Sequence, residues 1–459
     1  MSLRSDALEY SKNNYDFYQG ILQDFIEIPS ISTDPLHKSN MLEATNFIKE
    51  ILNQFNIHDV QIFETKGHPV VFAEKKSTYK DPLTVLIYGH YDVQPSDPME
   101  LWETDPFTPT IRNDRLFGRG ASDMKGQIVA SLAAYHAINS TGQIPVNFKF
   151  IIEGEEEIGS PNLAGFLANN KDLLKCDVIL NPDSGMISAQ NPTIVYGLRG
   201  LTYFELNVYG PDHDLHSGMF GGVIHNPAIV LSELITKMHD DNWKVTLPGF
   251  YEDVIPFSDE EREQLSRLPI SDEDLLRQTG SPALWGEKGY NSIERLGTRP
   301  TLEINGMLSG FTGEGSKTII PSSAMAKISM RTVPNQDPEK IYHQLKKFIE
   351  LNIPQTVKWD LKQFAGGWAS ISDISHPGVI ALTKALETEW GIKPLFKREG
   401  GSIPVVAAMQ RILGKDSVLT GFGLPEDKIH SPNESLHIPT WKKGILSLIH
   451  FFCNYAGIE

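Results

Sequence analysis

What most constrains this chain is a change of rhythm near its middle. Up to about residue 200, strand-like apolar runs (Val70–Glu74, Thr84–Gly89, Val146–Ile152, Asp177–Leu180) alternate with helical spacing (Met41–Phe55, Lys125–Ile138). Such alternation builds a mostly parallel sheet with helices on both faces. A different order follows: strand Leu201–Tyr209, helix Asn226–His239 with Pro227 suited to its first turn, strands Thr301–Leu308 and Ala324–Val333, helix Pro338–Leu351 and strand Thr356–Gln363. That β-α-β-β-α-β series is the ferredoxin-like split unit. Asp240–Arg299, inside it, is polar, acidic and rich in Pro and Gly, and is expected to be mostly irregular with short helices. From His376 the first rhythm resumes, with helices Pro377–Glu389, Ile403–Leu413 and Thr440–Tyr455 and a short buried strand Ser417–Leu419. The expected fold class is α/β: a mostly parallel sheet domain flanked by helices (1–202 and 369–459) that carries an inserted ferredoxin-like α+β domain (203–368).

A chain of 459 residues exceeds one ordinary core, which fits such a division. Its formal net charge of −17 argues against nucleic acid or an anionic membrane as partner. No apolar run approaches the roughly 18 residues of a membrane-spanning helix, and the stretch MSLRSDALEYSKNNYDFYQG lacks the apolar centre of a secretory signal. Two cysteines, Cys176 and Cys453, are too few for a disulfide framework or a thiolate zinc site. Buried thiols in a reducing cytoplasm are the expectation.

Five polar clusters punctuate the sequence, and four of them follow an expected strand of the sheet domain. Gly89-His90-Tyr91-Asp92-Val93-Gln94-Pro95 offers an imidazole, a common ligand for zinc-like ions, with Asp92 able to reach its other ring nitrogen. Gly118-Arg119-Gly120-Ala121-Ser122-Asp123-Met124-Lys125-Gly126 sets one acid among glycines just before a helix. Glu153-Gly154-Glu155-Glu156-Glu157-Ile158-Gly159-Ser160 crowds four carboxylates, which must be offset by cations, raised pKa values or solvation. Asp183 follows in Asn181-Pro182-Asp183-Ser184, and His430 in His430-Ser431-Pro432-Asn433-Glu434-Ser435. Taken singly, each also fits a loop histidine, a helix-capping aspartate or an exposed acidic turn. Together they form a set of His and carboxylate donors without sulfur, suited to zinc, manganese or cobalt.

The runs GHYDVQP, GRGASDMKG, EGEEEIGS, GLRG, DLHSG, REGGSIP and HSPNE, in that order, resemble the M20 metallopeptidase family, and REGGSIP and HSPNE resemble its non-specific dipeptidase and carnosinase branch. The resemblance implies two divalent ions, with Asp123 bridging, His90 and Asp183 each holding one ion, and Glu157 and His430 completing the second. It also implies Glu156 as general base, although the residues alone leave Glu155, Glu156 and Glu157 open. Asp92 would orient His90. His216, in Asp214-Leu215-His216-Ser217-Gly218, would stabilise the tetrahedral oxyanion from the partner subunit of a homodimer, with His213 only a neighbour. Arg331 would bind the carboxylate of a small peptide substrate, assisted by Thr318 and Ser402. On this likeness the expected activity is hydrolysis of dipeptides or very short peptides by a metal-activated water. An M20-type N-acyl amino acid deacylase or desuccinylase is the nearest competing activity. A catalytically dead peptidase fold that only binds is a competitor of a different class.

Overall fold

The computed structural model describes residues 2–458. It divides into two compact units: the first runs to Tyr196 and adds Ser372–Lys397 and the stretch from Val405 onward, and the second comprises Gly197–Ile371 and Arg398–Pro404. The segment Arg398–Pro404, which is the whole REGGSIP run, thus groups with the inserted unit rather than with the sequence around it.

The first unit is built on a mixed sheet. Its order runs Asp59–Phe63, Val70–Lys75, Asn147–Glu153, Thr84–His90, Val178–Asn181, Ser417–Leu419 and Thr193–Leu198, beyond which short strands complete nine among the described residues. Asn147–Glu153 through Ser417–Leu419 are mutually parallel; Asp59–Phe63 and Val70–Lys75 at one side and Thr193–Leu198 at the other join antiparallel. The parallel strands are buried along nearly all their length because both faces are covered, and the one lysine in their midst, Lys149, donates to the Leu173 and Lys175 carbonyls at 2.6 and 2.9 Å. Register aligns the strands' carboxyl ends: His90 stands opposite Glu153, and Ile87 opposite Leu180. Loops leaving aligned carboxyl ends open on one crevice, where open α/β sheets gather ligands. Helices Lys125–Ser140 and Ile438–Tyr455 are buried almost all round, the former admitted by its small residues Ala130, Ala133 and Ala134.

Two helices that no clear periodicity announces precede the first strand, Leu3–Asn13 and Tyr15–Ile26. Their polar residues blur the helical pattern, yet Tyr18, Leu22, Phe25 and Ile26 are buried. The second helix also meets the site region. Buried Lys125 donates to the carbonyls of Phe25 and Ile28 at 2.9 and 2.7 Å, satisfying acceptors that a helix end leaves open.

A small antiparallel sheet completes the unit. Strands Thr110–Arg112 and Arg115–Phe117 form a hairpin whose two turn residues, Asn113 and Asp114, have φ of 48° and 59°, as a tight two-residue turn requires. Ser435–His437 pairs with its second strand, Ser435 opposite Phe117. That pairing sets the residues before Ser435 beside those after Phe117.

In the second unit, strands Thr301–Ser309, Ser323–Thr332, Gly200–Tyr209 and Lys358–Gly367 make an antiparallel sheet in that spatial order, the ferredoxin-like arrangement. Alternate residues of the central strands point to the core: Phe204, Leu206 and Val208 with Ile328 and Met330 pack on Leu231 and Leu234 of helix Pro227–Lys237 and on Leu345 and Phe348 of helix Pro338–Asn352. The excursion between the first helix and the second strand carries three short helices, Asp259–Ser266, Asp272–Thr279 and Ser292–Thr298, each opened by a side-chain cap from Ser258, Ser271 or Asn291. Among the described residues no helix is long and apolar enough to cross a membrane.

Candidate metal centre

The crevice of the first unit collects the clusters singled out in the sequence. His90 ends its strand, Asp123 directly precedes Met124 and helix Lys125–Ser140, Glu156 and Glu157 start the short turn Glu156–Ile158, and Asp183 follows Val178–Asn181. One donor atom each from His90, Asp123 and Glu157 lies within 4.8 Å of the others. His90 Nε2 is 3.2 Å from Asp123 Oδ1 and 3.9 Å from Asp183 Oδ1. His430 Nε2 is 2.9 Å from Asp123 Oδ2 and 3.3 Å from Glu157 Oε2. Asp123 therefore stands between the imidazoles, one oxygen toward each. The set of imidazoles and carboxylates fits one or more divalent cations by donor chemistry.

Buried hydrogen bonds hold these loops. The Glu434 carboxylate accepts backbone N–H groups from Gly120 (3.0 Å), Ser122 (3.0 Å) and Asp123 (3.1 Å), and the Arg119 guanidinium at 2.8 Å. Gly120, at φ 83°, supplies the left-handed step that turns the loop onto this carboxylate. Ser122 Oγ donates to Asp427 Oδ2 at 2.8 Å, and Asp427 also pairs with Arg115. His430 sits at φ 58° in a loop pinned through Asn433, which accepts the Glu103 N–H and donates to the Leu101 carbonyl, both at 2.8 Å. Asp92 does more than sit behind His90. Its carbonyl accepts from His90 Nδ1 at 3.0 Å, its carboxylate lies 3.4 Å from the same nitrogen, and that carboxylate accepts the backbone N–H groups of Glu156 and Glu157 at 3.2 and 3.1 Å. Gly154 lets this turn close on Tyr91, since a Cβ there would lie 2.3 Å from the ring.

The crowding of four glutamates is resolved one carboxylate at a time. Glu153 accepts from Tyr88 at 2.9 Å and Ser160 at 2.7 Å, and burial pushes it up to about 8. Glu155 accepts both contacts from Asn162 Nδ2, at 3.0 and 2.9 Å. Glu157 accepts from Gln94 at 2.8 Å and faces His430. Among the described residues, Glu156 alone of the four accepts no side-chain hydrogen bond; burial, relieved by His90 and reinforced by Asp183, Glu157 and Asp123, raises it to about 9. Burial likewise raises Asp183 to about 7, against the relief given by His90. Burial disfavours charge on His90, but the Asp123 and Asp92 contacts and the charges of Asp183 and Glu156 outweigh it and lift the imidazole well above its ordinary value. The contacts with Asp123 and Glu157 raise His430 to about 10. Asp123 is buried, yet His430 and His90 hold it well below the usual carboxylate range.

The remaining candidates lie in the second unit. His216 caps the short helix Ser217–Phe220, its Nδ1 accepting the Gly218 N–H at 3.0 Å. His216 pairs with Ile319, and the Ser217 N–H donates to the Thr318 carbonyl at 3.0 Å, so His216 and Thr318 share one two-stranded edge. Arg331 donates to Ser402 Oγ at 2.8 Å. His213 is exposed and paired with Asp212.

Residues 86–454 match the description Peptidase family M20/M25/M40. The chain belongs to this family. It is 33% identical over 455 residues to the Cys-Gly metallodipeptidase DUG1 of Candida albicans, covering 94% of this chain and 93% of that protein. It is 33% identical over 399 residues to the human Beta-Ala-His dipeptidase, covering 85% of this chain and 78% of that protein. Among solved structures, the M20 family metallo-carboxypeptidase Sso-CP2 from Sulfolobus solfataricus superposes with a TM-score of 0.84 at 34% identity, over 96% of this chain and 99% of that one. The expected α/β class and the M20 resemblance both hold. The expected parallel strands form the centre of the sheet, and antiparallel strands at both sides, Val70–Lys75 on Asn147–Glu153 and Thr193–Leu198 on Ser417–Leu419, make it mixed.

Proposed function

We propose that this M20 peptidase hydrolyses dipeptides or very short peptides, using Glu156 as proton carrier beside two divalent ions shared through Asp123. The observation that carries this reading is the two-sided contact of Asp123, with His90 on one carboxylate oxygen and His430 on the other. On that pattern His90 and Asp183 would hold one ion, and Glu157 and His430 the second. Zn2+ or Mn2+ suits these donors, and Co2+ is compatible. When bound, such a pair lowers the pKa of water and polarises the scissile carbonyl.

Glu156 takes the proton of the attacking water and passes it to the departing amine. Its raised affinity for a proton and its place in the turn beside Glu157 support the role; Glu155 is committed to Asn162. Asp92 keeps His90 in one orientation and carries the turn that presents Glu156. Arg331, with Ser402 and Thr318, binds the substrate's terminal carboxylate, a task suited to a guanidinium fork. His216 stabilises the oxyanion from the partner subunit of a homodimer. In support, apolar side chains stand exposed just after it, Met219 at 72% and Val223 at 79%. The second unit would then be the lid and dimerisation domain. Buried, unpaired Cys176 and Cys453 support a cytoplasmic setting.

The test is hydrolysis of Ala-Ala, Cys-Gly, β-Ala-His and N-acetylornithine with Mn2+ or Zn2+ and with chelator. Metal-dependent cleavage of the dipeptides is expected. Cleavage of N-acetylornithine alone would move the reading to a deacylase, and no product from any of them would leave a binding protein.

A further inference from the structure

The second unit contains a cavity of about 500 Å³ that the metal chemistry does not use. Its wall carries four arginines, Arg199, Arg295, Arg299 and Arg331, against two glutamates, Glu287 and Glu303, in a chain whose overall charge is −17. One pair is spent: Arg299 grips Glu287 through two bonds of 2.7 Å. Arg295 is held by the carbonyls of Glu287 at 2.9 Å and Trp285 at 3.3 Å. Arg199 donates Nε to the Gly400 carbonyl at 3.0 Å, and Arg331 donates to Ser402 at 2.8 Å. Among the described residues no ion pair joins Arg199 or Arg331 to a carboxylate.

These two guanidiniums are neighbours. Arg331 faces Leu201 in register, and Arg199 stands two residues before Leu201. Burial, and then the charge of Arg331, pull Arg199 down to about 10, with Glu303 and Glu399 giving partial relief from longer range. Two partly buried like charges held together without contacting counter-ions are destabilising unless an anion joins them. Trp243 and Trp285, 4.7 Å between ring centroids, add apolar wall to the same cavity.

We propose that Arg199 completes a site for a second carboxylate, so that the preferred substrates are dipeptides with an acidic C-terminal residue. The proposal rests on the reading that Arg331 takes the terminal carboxylate. The side-chain carboxylate then joins Arg199, and the stem lies against the apolar wall.

The test compares kcat/KM for Ala-Glu, Ala-Gln and Ala-Ala in metal-loaded enzyme, wild type and Arg199→Met. The expected Ala-Glu to Ala-Gln ratio is about tenfold or more in the wild type, the scale of one charge-assisted hydrogen bond. It falls toward one in Arg199→Met, whatever the absolute rates, and Arg199→Lys retains part of it. A wild-type ratio near or below one, or a ratio that survives Arg199→Met, overturns the proposal. If the variants do not fold, wild-type inhibition decides: free L-glutamate must compete with Ala-Ala at lower concentration than free L-glutamine, and equal inhibition overturns the proposal. Cleavage of Ala-Ala without an acidic preference sinks this inference and leaves the dipeptidase reading intact. Cleavage of none of the three while Cys-Gly or β-Ala-His is cleaved sinks this inference alone, and cleavage of no dipeptide sinks both.

Discussion

Glu434 holds Asp123 from behind, its Oε1 accepting the Asp123 backbone N–H at 3.1 Å while the Asp123 side chain faces His90 and His430. The same carboxylate binds Gly120, Ser122 and Arg119, so one buried charge fixes the whole turn. Glu434→Gln replaces one accepting oxygen by a donor and removes the charge that Arg119 pairs with. Its expected cost is about 10–100-fold in metal affinity, the usual scale for a group that orients a ligand. Isothermal titration with Mn2+ checks this, and far-ultraviolet circular dichroism confirms that the variant is folded. Unchanged affinity in a folded variant would refute the positioning role.

Glu156→Gln keeps the shape of the side chain and cannot carry a proton. Turnover is expected to fall by roughly 10²–10⁴-fold with metal content unchanged. Steady-state kinetics on a cleaved dipeptide, with metal analysis of the same sample, makes the comparison. Near-normal turnover would shift the base to another glutamate, and Glu155→Gln is the control because its carboxylate is tied to Asn162.

Without metal, the cluster makes stability pH-dependent with a definite sign. Glu156 and Asp183 are raised to about 9 and about 7, and His430 to about 10. Each of these groups keeps its proton in the folded chain at pH values where the unfolded chain has lost it. Stability is then fullest at low pH within this set and drains away as pH rises through the folded pKa values. Chelator-treated protein should show a Tm that falls between about pH 6 and about pH 9, with metal restoring more at the upper end. A Tm that climbs across that window would contradict the assignment of these groups. Calorimetry in buffers of different ionisation enthalpy should also detect proton release on metal binding.

If His216 acts across a dimer, two inactive variants can repair each other. His216→Ala and Glu156→Gln subunits, mixed in equal amounts under conditions that exchange subunits, should regain roughly a quarter of wild-type activity, because about half of the dimers are mixed and one site in each inherits both intact residues. Activity that stays at the level of the separate variants, after exchange is demonstrated by mass spectrometry, would place His216 outside the partner's chemistry.

The large architecture was legible because its signals are local. The apolar runs ending at His90 and near Ile152 and Leu180 read as strands, and strands of one parallel sheet bring their following loops together. What eluded the sequence depends on partners hundreds of residues apart. Glu434 lay within a recognised run, but nothing in that run says that its carboxylate turns inward to the Asp123 loop; the pairing of Ser435 with Phe117 decides it. The second task of Asp92, holding the N–H groups of Glu156 and Glu157, was likewise invisible, since turn geometry and not residue type aims those donors. The opening helices were missed because their apolar residues are interleaved with polar ones that face outward.

The strand Ser435–His437 has a consequence for biosynthesis. The N–H groups of Gly120, Ser122 and Asp123 find their shared acceptor only when residue 434 exists, more than 300 positions later in the chain. A nascent polypeptide that has not yet released this strand from the ribosome carries an Asp123 turn without its anchor and without His430. Assembly of the Asp123 turn thus waits on a segment made more than 300 residues after it, and a product truncated before Ser435 would emerge with that turn unanchored.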